Sequence, residues 1–354
     1  MYPQPEYDFI SGQTLDRERS QLGTDTVPNT EDDDAIEPED VVVMPEIMNQ
    51  SSVKEFIFLG FSSDAELQLL LFALFLPIYL CTVLGNILIS LVITMDPVLH
   101  TPMYFFLRIL SLLEICYISV TIPKMLETLR SSTKSIYFES CGIQMFIFVS
   151  LRTAECFLLA GMAFDCYVAT CDPLHYTTVI MMKVCAQLSA GALCIGGVFS
   201  LGQTCVMFTL PYCGPNRINQ LFSDVLPLLK LVCTDIHANL IAIYTAGVLV
   251  VFMPFVLVVT TYTYIIAAIL RIPSAVGRRK AFSTCASHLL SVNLVYGTGT
   301  FAYVLPKSGH WLDSDKLLAL FYAAVLPMLN PMIYSLRNKE VKGAVKKLLS
   351  RPKV

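Results

Sequence analysis

Three ionisable residues stand inside runs of sequence that are otherwise apolar. They are Glu114 in "SLLEICYISV", and Arg152 and Glu155 in "FIFVSLRTAECFLLAG". A charged side chain at hydrocarbon depth is expensive, so each is a functional candidate by default. Arg152 lies three residues before Glu155, a spacing that lets two side chains meet on one helix face. An unpaired buried guanidinium is costly, so the spacing predicts a direct contact. A second use stays open, in which Arg152 offers its fork of donors to a carboxylate or carbonyl on a ligand. Where the same run ends, "MAFDCYVATCDPLHY" (162–176) sets Asp165, Cys166 and Tyr167 in succession. The five histidines show no metal spacing, and no phosphate-binding glycine loop or serine elbow is present. The chain is therefore expected to be no enzyme, with no metal and no cofactor.

The elements that must position these groups are membrane helices. Of the 354 residues, 55% are hydrophobic and 15% charged, and the mean hydropathy is +0.62. Soluble domains carry about a quarter charged residues. Seven apolar segments can be marked, at about 67–93, 103–128, 141–169, 184–208, 238–270, 282–305 and 316–335; a helix needs roughly 20 residues to cross a bilayer. Backbone N–H and C=O groups in lipid must be paired within their own segment, so helices are expected, kinked at Pro77, Pro254 and Pro327. The fold class is an all-α membrane protein, a seven-helix transmembrane bundle.

Charge sets the orientation. Arg271, Arg278, Arg279 and Lys280 separate the fifth and sixth segments, and seven Lys and Arg residues follow the seventh. Both regions are assigned to the cytoplasm. An odd number of spans then places the N-terminus outside, where Asn49-Gln50-Ser51 is a glycosylation sequon at Asn49. Residues 1–48 hold 13 acids and two bases. They read as a disordered acidic tail without a cleavable signal peptide, dispensable for insertion. Residues 49–336 form the membrane domain. Residues 337–354 form a basic tail in which Val341, Val345, Leu348 and Leu349 share a helical face, the pattern of a short helix lying on the bilayer surface. Topology explains these basic segments, and no nucleic-acid partner is expected.

Four blocks give a resemblance. "LHTPMYFFL" (99–107), "MAFDCYVATCDPLHY" (162–176), "KAFSTCASHL" (280–289) and "PMLNPMIYSLRN" (327–338) occur in this order. Gly85-Asn86, "PKML" (123–126) and "LPYCGPNRINQLF" (210–222) accompany them. The set resembles the signature of vertebrate olfactory receptors, a branch of the rhodopsin-like G-protein-coupled receptors, over about residues 52–350. The resemblance implies a multi-pass plasma-membrane receptor. It would bind a small, mostly apolar odorant in the outer half of the bundle and signal through a stimulatory G protein to cAMP. A decoy or inactive relic is the alternative. A transporter or channel would show internal repeats or matched broken helices, and neither is seen.

Residue by residue, the resemblance implies a pocket of Phe148, Val149, Arg152, Thr153, Ala246, Val250, Tyr296, Tyr303 and Ala323. It implies a polar core of Asn86, Glu114, Glu155 and Asn330, read either as a hydrated switch that could hold a cation or as buried carboxyls satisfied by their neighbours. Glu114 stands where aspartate is commoner. Asp165, Cys166, Tyr167, Tyr262, Asn330, Pro331 and Tyr334 match the activation switch and G-protein site. There the family reads Asp-Arg-Tyr, and this chain has Asp165-Cys166-Tyr167. Asp165 is thereby expected to lose its counter-charge. The family bridges the start of the third helix to the middle of three loop cysteines, and here that loop reads Cys213, Ser223, Cys233. Cys213 and Cys233 are expected to form the second family bridge, leaving Cys141 without its usual partner.

Overall fold

A computed structural model describes residues 53–60, 65–131, 134–212, 216–223, 225–234, 237–303, 319–337 and 339–350. The expectations for residues 1–48, Asn49 and Cys213 lie outside these residues, as do the side chains of Tyr303 and Tyr334.

The apolar runs fold as continuous helices. The first five spans are Ala65–Met95, Pro102–Arg130, Phe138–Cys171, Met182–Thr209 and His237–Leu270. All five are long and apolar enough to cross a membrane. The sixth is Ala275–Tyr303 and the seventh runs through Phe321–Val325 into Leu326–Arg337. The spans extend a few residues beyond the hydropathy segments because helical hydrogen bonding continues past the apolar stretch. The sixth starts well before residue 282, so Arg278 and Arg279 sit in its first turns. Proline is absorbed within the first, second and fifth spans. In the seventh, the turn just before Pro327 is wound as a π-helix. Proline cannot donate to the preceding turn and its ring crowds the carbonyl there, so the wider turn relieves both problems.

The third span is the hub, packing against the second, fourth, fifth and sixth. The fourth approaches it closely at Gly196. A Cβ there would run into the Ser150 carbonyl and lie 3.2 Å from the Ala154 nitrogen. One turn on, the Ser200 hydroxyl donates to Phe146 O at 2.6 Å. Small residues at such spacing let two backbones approach where apolar burial supplies no drive between helices.

The outer face carries a feature the hydropathy reading lacked. Strand β1 (Glu55–Phe58) pairs antiparallel with β2 (Ser135–Tyr137) and parallel with β3 (Arg217–Ile218). Phe56 and Phe58 alternate onto the buried face and are wholly enclosed, with Phe56 packed on Phe138 and Tyr212. Gly60 ends the strand at φ +66°, where a Cβ would be strained. On the opposite side, the surface helix Lys339–Leu349 buries Val341 and packs Val345 and Leu348 against the bundle. The Tyr104 hydroxyl donates to Glu340 Oε2 at 2.6 Å and anchors it.

Candidate functional site

The second, third and seventh spans bring four polar side chains together in the core. Glu114, Arg152, Glu155 and Asn330 are each at most 6% exposed. Arg152 Nη1 donates to Glu155 Oε2, and Nη2 donates to the Tyr322 carbonyl. The guanidinium carbon lies 4.4 Å from the Tyr117 ring centroid and 4.1 Å from that of Tyr322. Arg152 is thus held by one carboxylate, one backbone carbonyl and two aromatic faces. Cation–π attraction strengthens on desolvation and can reach ~2 kcal/mol per ring. Asn330 Nδ2 donates to Glu114 Oε1 at 2.7 Å and reaches Glu155 Oε1 at 3.5 Å, linking the two carboxyls. Glu114 Oε2, Tyr117 Oη, Arg152 Nε and Asn330 Oδ1 have no protein partner among the described residues. Asn86 stands one step away, donating to Thr82 O at 3.0 Å and to Pro327 O at 3.5 Å. Pro331 is buried, and lies 3.5 Å from where a Cβ on Gly85 would be.

Outward of this cluster, Phe148 is buried between the rings of Tyr117 and Phe222, each at 5.3 Å between centroids. Thr153 and Ala323 are buried, while Val149, Ala246 and Val250 are half-buried. Tyr296 donates to Cys156 O at 3.1 Å and packs on Phe255. The structure therefore gathers Phe148 and Arg152 against Tyr117, and Arg152 against Tyr322. Sequence reasoning did not single out either tyrosine, because nothing local marks an aromatic that will stack on a cation from another span.

The inner end of the third span holds a second constellation. Asp165 is buried, and it keeps a partner although no arginine follows it: the Tyr176 hydroxyl donates to Asp165 Oδ1 at 2.9 Å. Tyr176 lies in the connecting turn, where its own burial and then the nearby carboxylate push the phenol upward, so it keeps its proton and acts as donor. A neutral donor thus stands where the family pattern has a cation. Tyr262 does not wait unattached for an arginine. Its hydroxyl lies 2.6 Å from His288 Nδ1, while His288 Nε2 lies 3.0 Å from the Leu159 carbonyl. A carbonyl can only accept, so Nε2 carries the proton, and Nδ1 then accepts from Tyr262 in the neutral ring. Cys166 is buried beside this bridge, near the thiol of Cys285 in the sixth span. Tyr167 turns outward, its ring 6.0 Å from Tyr264.

At the outer end of the third span, Cys141 is a free thiol, wholly buried. It lies against the Ser223 hydroxyl without an aligned hydrogen bond. The Ser223 nitrogen donates to Gln144 Oε1 at 3.0 Å, and Gln144 Nε2 donates to Val120 O at 3.0 Å. Cys233 is disulfide-bonded.

Comparison with known proteins agrees with this architecture. A family model described as olfactory receptor matches residues 75–352. Human olfactory receptor 10C1 is 49% identical over 303 residues, covering 86% of this chain and 97% of that protein. Mouse olfactory receptor 8U3 is 48% identical over 304 residues, 86% of this chain and 95% of its own. Mouse olfactory receptor 5G25 is 50% identical over 298 residues, 84% of this chain and 93% of its own. The chain belongs to the olfactory receptor family of G-protein-coupled receptors, and is a multi-pass plasma-membrane protein rather than an enzyme.

Proposed function

We propose that the chain is an odorant receptor that binds a small, mostly apolar ligand among the outer halves of the spans. Its signal passes through a stimulatory G protein to cAMP, with coupling weakened by Cys166. The ligand-contacting groups in this reading are Phe148, Val149, Arg152, Thr153, Ala246, Val250, Tyr296, Tyr303 and Ala323. Phe148, Thr153 and Ala323 supply enclosed, largely apolar surface, and a few polar groups fix orientation. Arg152 already has Glu155, the Tyr322 carbonyl and two rings. In this reading it lines the pocket with its fork already engaged and does not seek a ligand carboxylate. Glu114, Glu155, Asn330 and Asn86 form the core that repacks on activation, and Asn330, Pro331 and Tyr334 carry that change inward. Cys213 pairs with Cys233, and Asn49 carries the glycan.

The observation that supports weakened coupling is the state of the inner end. Asp165 is bonded to Tyr176 and Tyr262 to His288, so both groups expected to serve an arginine are engaged elsewhere. A thiol has neither the charge nor the reach to displace them. The test compares cAMP output of the chain with that of Cys166→Arg, at matched surface levels across a broad odorant panel. A response at least tenfold larger in Cys166→Arg is the expected result. Equal, robust responses refute the coupling defect. Silence from both at full surface expression favours the non-signalling receptor-like reading.

A further inference from the structure

We infer that the N-terminal strand β1 is a noncovalent clasp that ties the second outer loop to the start of the third span, in place of a disulfide. The two segments it joins are β2, which ends at Tyr137 just ahead of Cys141, and β3, which ends at Ile218 just ahead of Ser223. No bridge links them, because Cys141 is a free thiol and Ser223 offers none. In the sheet order β2-β1-β3, β1 lies between them and pairs with both. Its backbone alternates sides. Ile57 N donates to Asn216 O at 2.7 Å and Leu59 N to Ile218 O at 2.8 Å, on the loop side. Phe58 N donates to Lys134 O at 2.8 Å, and Phe138 N donates back to Lys54 O at 3.0 Å, on the side of the third span. The Asn216 side-chain amide donates to Glu55 O and adds a further link to the loop.

Packing fixes what the ladder joins. Phe56 and Phe58 are wholly enclosed, in one buried cluster with Cys141 and Met145 of the third span, Met207 of the fourth and Ile243 of the fifth. On the loop, Ser223 N is bonded to Gln144 of the third span, and Phe222 packs on Phe148 with centroids 5.3 Å apart. β2 and β3 have three and two residues, too short to persist without a central partner. With β1 withdrawn, their backbone groups and the space left by Phe56 and Phe58 would open to water, a cost that falls on the outer joint. The inference concerns this joint, so it stands whether or not the chain couples to a G protein.

The test uses the full chain on intact cells, where a membrane-impermeant maleimide reaches only the outer face. Ile57→Pro removes one ladder donor and leaves both enclosed phenylalanines in place. Ile57→Thr keeps the donor and serves as the control. Peptide mapping should find Cys141 protected in the unaltered chain and in Ile57→Thr, and labelled about tenfold more in Ile57→Pro. Surface level should fall in Ile57→Pro and recover in Ile57→Pro with Ser223→Cys, where a covalent link replaces the strand. That recovery keeps the test decisive if Ile57→Pro alone fails to reach the surface. Equal labelling of Cys141 in the three chains, at an unchanged surface level, overturns the inference. So does an equal loss of surface level from Ile57→Pro with and without Ser223→Cys.

Discussion

Ser223→Cys restores a bridge that the fold has kept room for. Cys141 and Ser223 are both wholly buried and already face each other. Gln144, one turn along the same helix, holds the Ser223 backbone at 3.0 Å. The loop is therefore delivered to the helix end without a covalent link, and the introduced thiol would stand against Cys141. The closed loop runs from residue 141 to residue 223. For a loop of roughly 80 residues the chain-entropy relation gives about 4.5 kcal/mol. That is an upper bound, because a denatured state that keeps inserted helices has less chain freedom to lose. The expected gain is about 2–4 kcal/mol.

The assay is the thermal midpoint of the detergent-solubilised receptor, with surface expression measured in parallel. Ser223→Cys should raise both, and dithiothreitol should remove the thermal gain. In a Cys141→Ala background the same substitution should give no gain, which separates the bridge from the effect of a larger side chain. Peptide mapping of the Ser223→Cys variant should show Cys141 joined to the introduced thiol, with Cys233 outside that bridge. A variant in which Cys141 stays free, or in which the introduced thiol pairs with Cys213 or Cys233, would refute the reasoning from geometry.

Glu155→Ala leaves the Arg152 guanidinium without its carboxylate and should cost about 3–5 kcal/mol, read as a lower thermal midpoint. The double variant Arg152→Met, Glu155→Met should lose less than Glu155→Ala alone, and an equal or greater loss would show that the pair is not an electrostatic unit. Gly196→Val drives a Cβ carrying two methyl groups at the Ser150 carbonyl and should cost about 1–3 kcal/mol, measured as reduced surface expression and thermal midpoint. Tyr176→Phe removes one hydrogen bond to a carboxylate and should cost about 1.5–3 kcal/mol in the native chain but little in an Asp165→Leu background, where no acceptor remains; equal costs in both would detach Tyr176 from Asp165. A chain beginning at Met48 should insert with the same topology in a protease-protection assay, because the acidic segment offers no apolar period to the bilayer.

How much of this was legible in the sequence depends on the range of the interaction concerned. The helices were, because lipid forces each apolar run to satisfy its own backbone. The residues at Ala65, Pro102, Phe138, Met182 and His237 begin spans within a few positions of the hydropathy limits. The surface helix was legible too, since Val341, Val345 and Leu348 repeat at helical spacing. Arg152 and Glu155 could be paired because their contact is local. The outer sheet was not legible. "EFIF" is only four residues long, and its partners sit before the third span and inside the loop that follows the fourth. A strand signal that short cannot be told from the start of an apolar helix.

The inner end of the bundle shows the same limit in its sharpest form. The loss of an arginine could be read at Cys166, but not what takes its place. Asp165 finds Tyr176 across a turn, Tyr262 of the fifth span finds His288 of the sixth, and His288 in turn reaches the Leu159 carbonyl of the third. None of these pairs has a spacing that marks it. Each exists because buried polar groups must find partners once helices pack, and a missing cation obliges the remaining donors and acceptors to satisfy one another. The inner end is therefore not an arginine site with a gap. It is a differently bonded joint between the third, fifth and sixth spans. Restoring an arginine at 166 must break into that joint before it can serve a G protein, so Cys166→Arg with His288→Ala should signal more strongly than Cys166→Arg alone. Equal cAMP output from the two at matched surface levels would show that the Tyr262–His288 bond does not oppose the arginine.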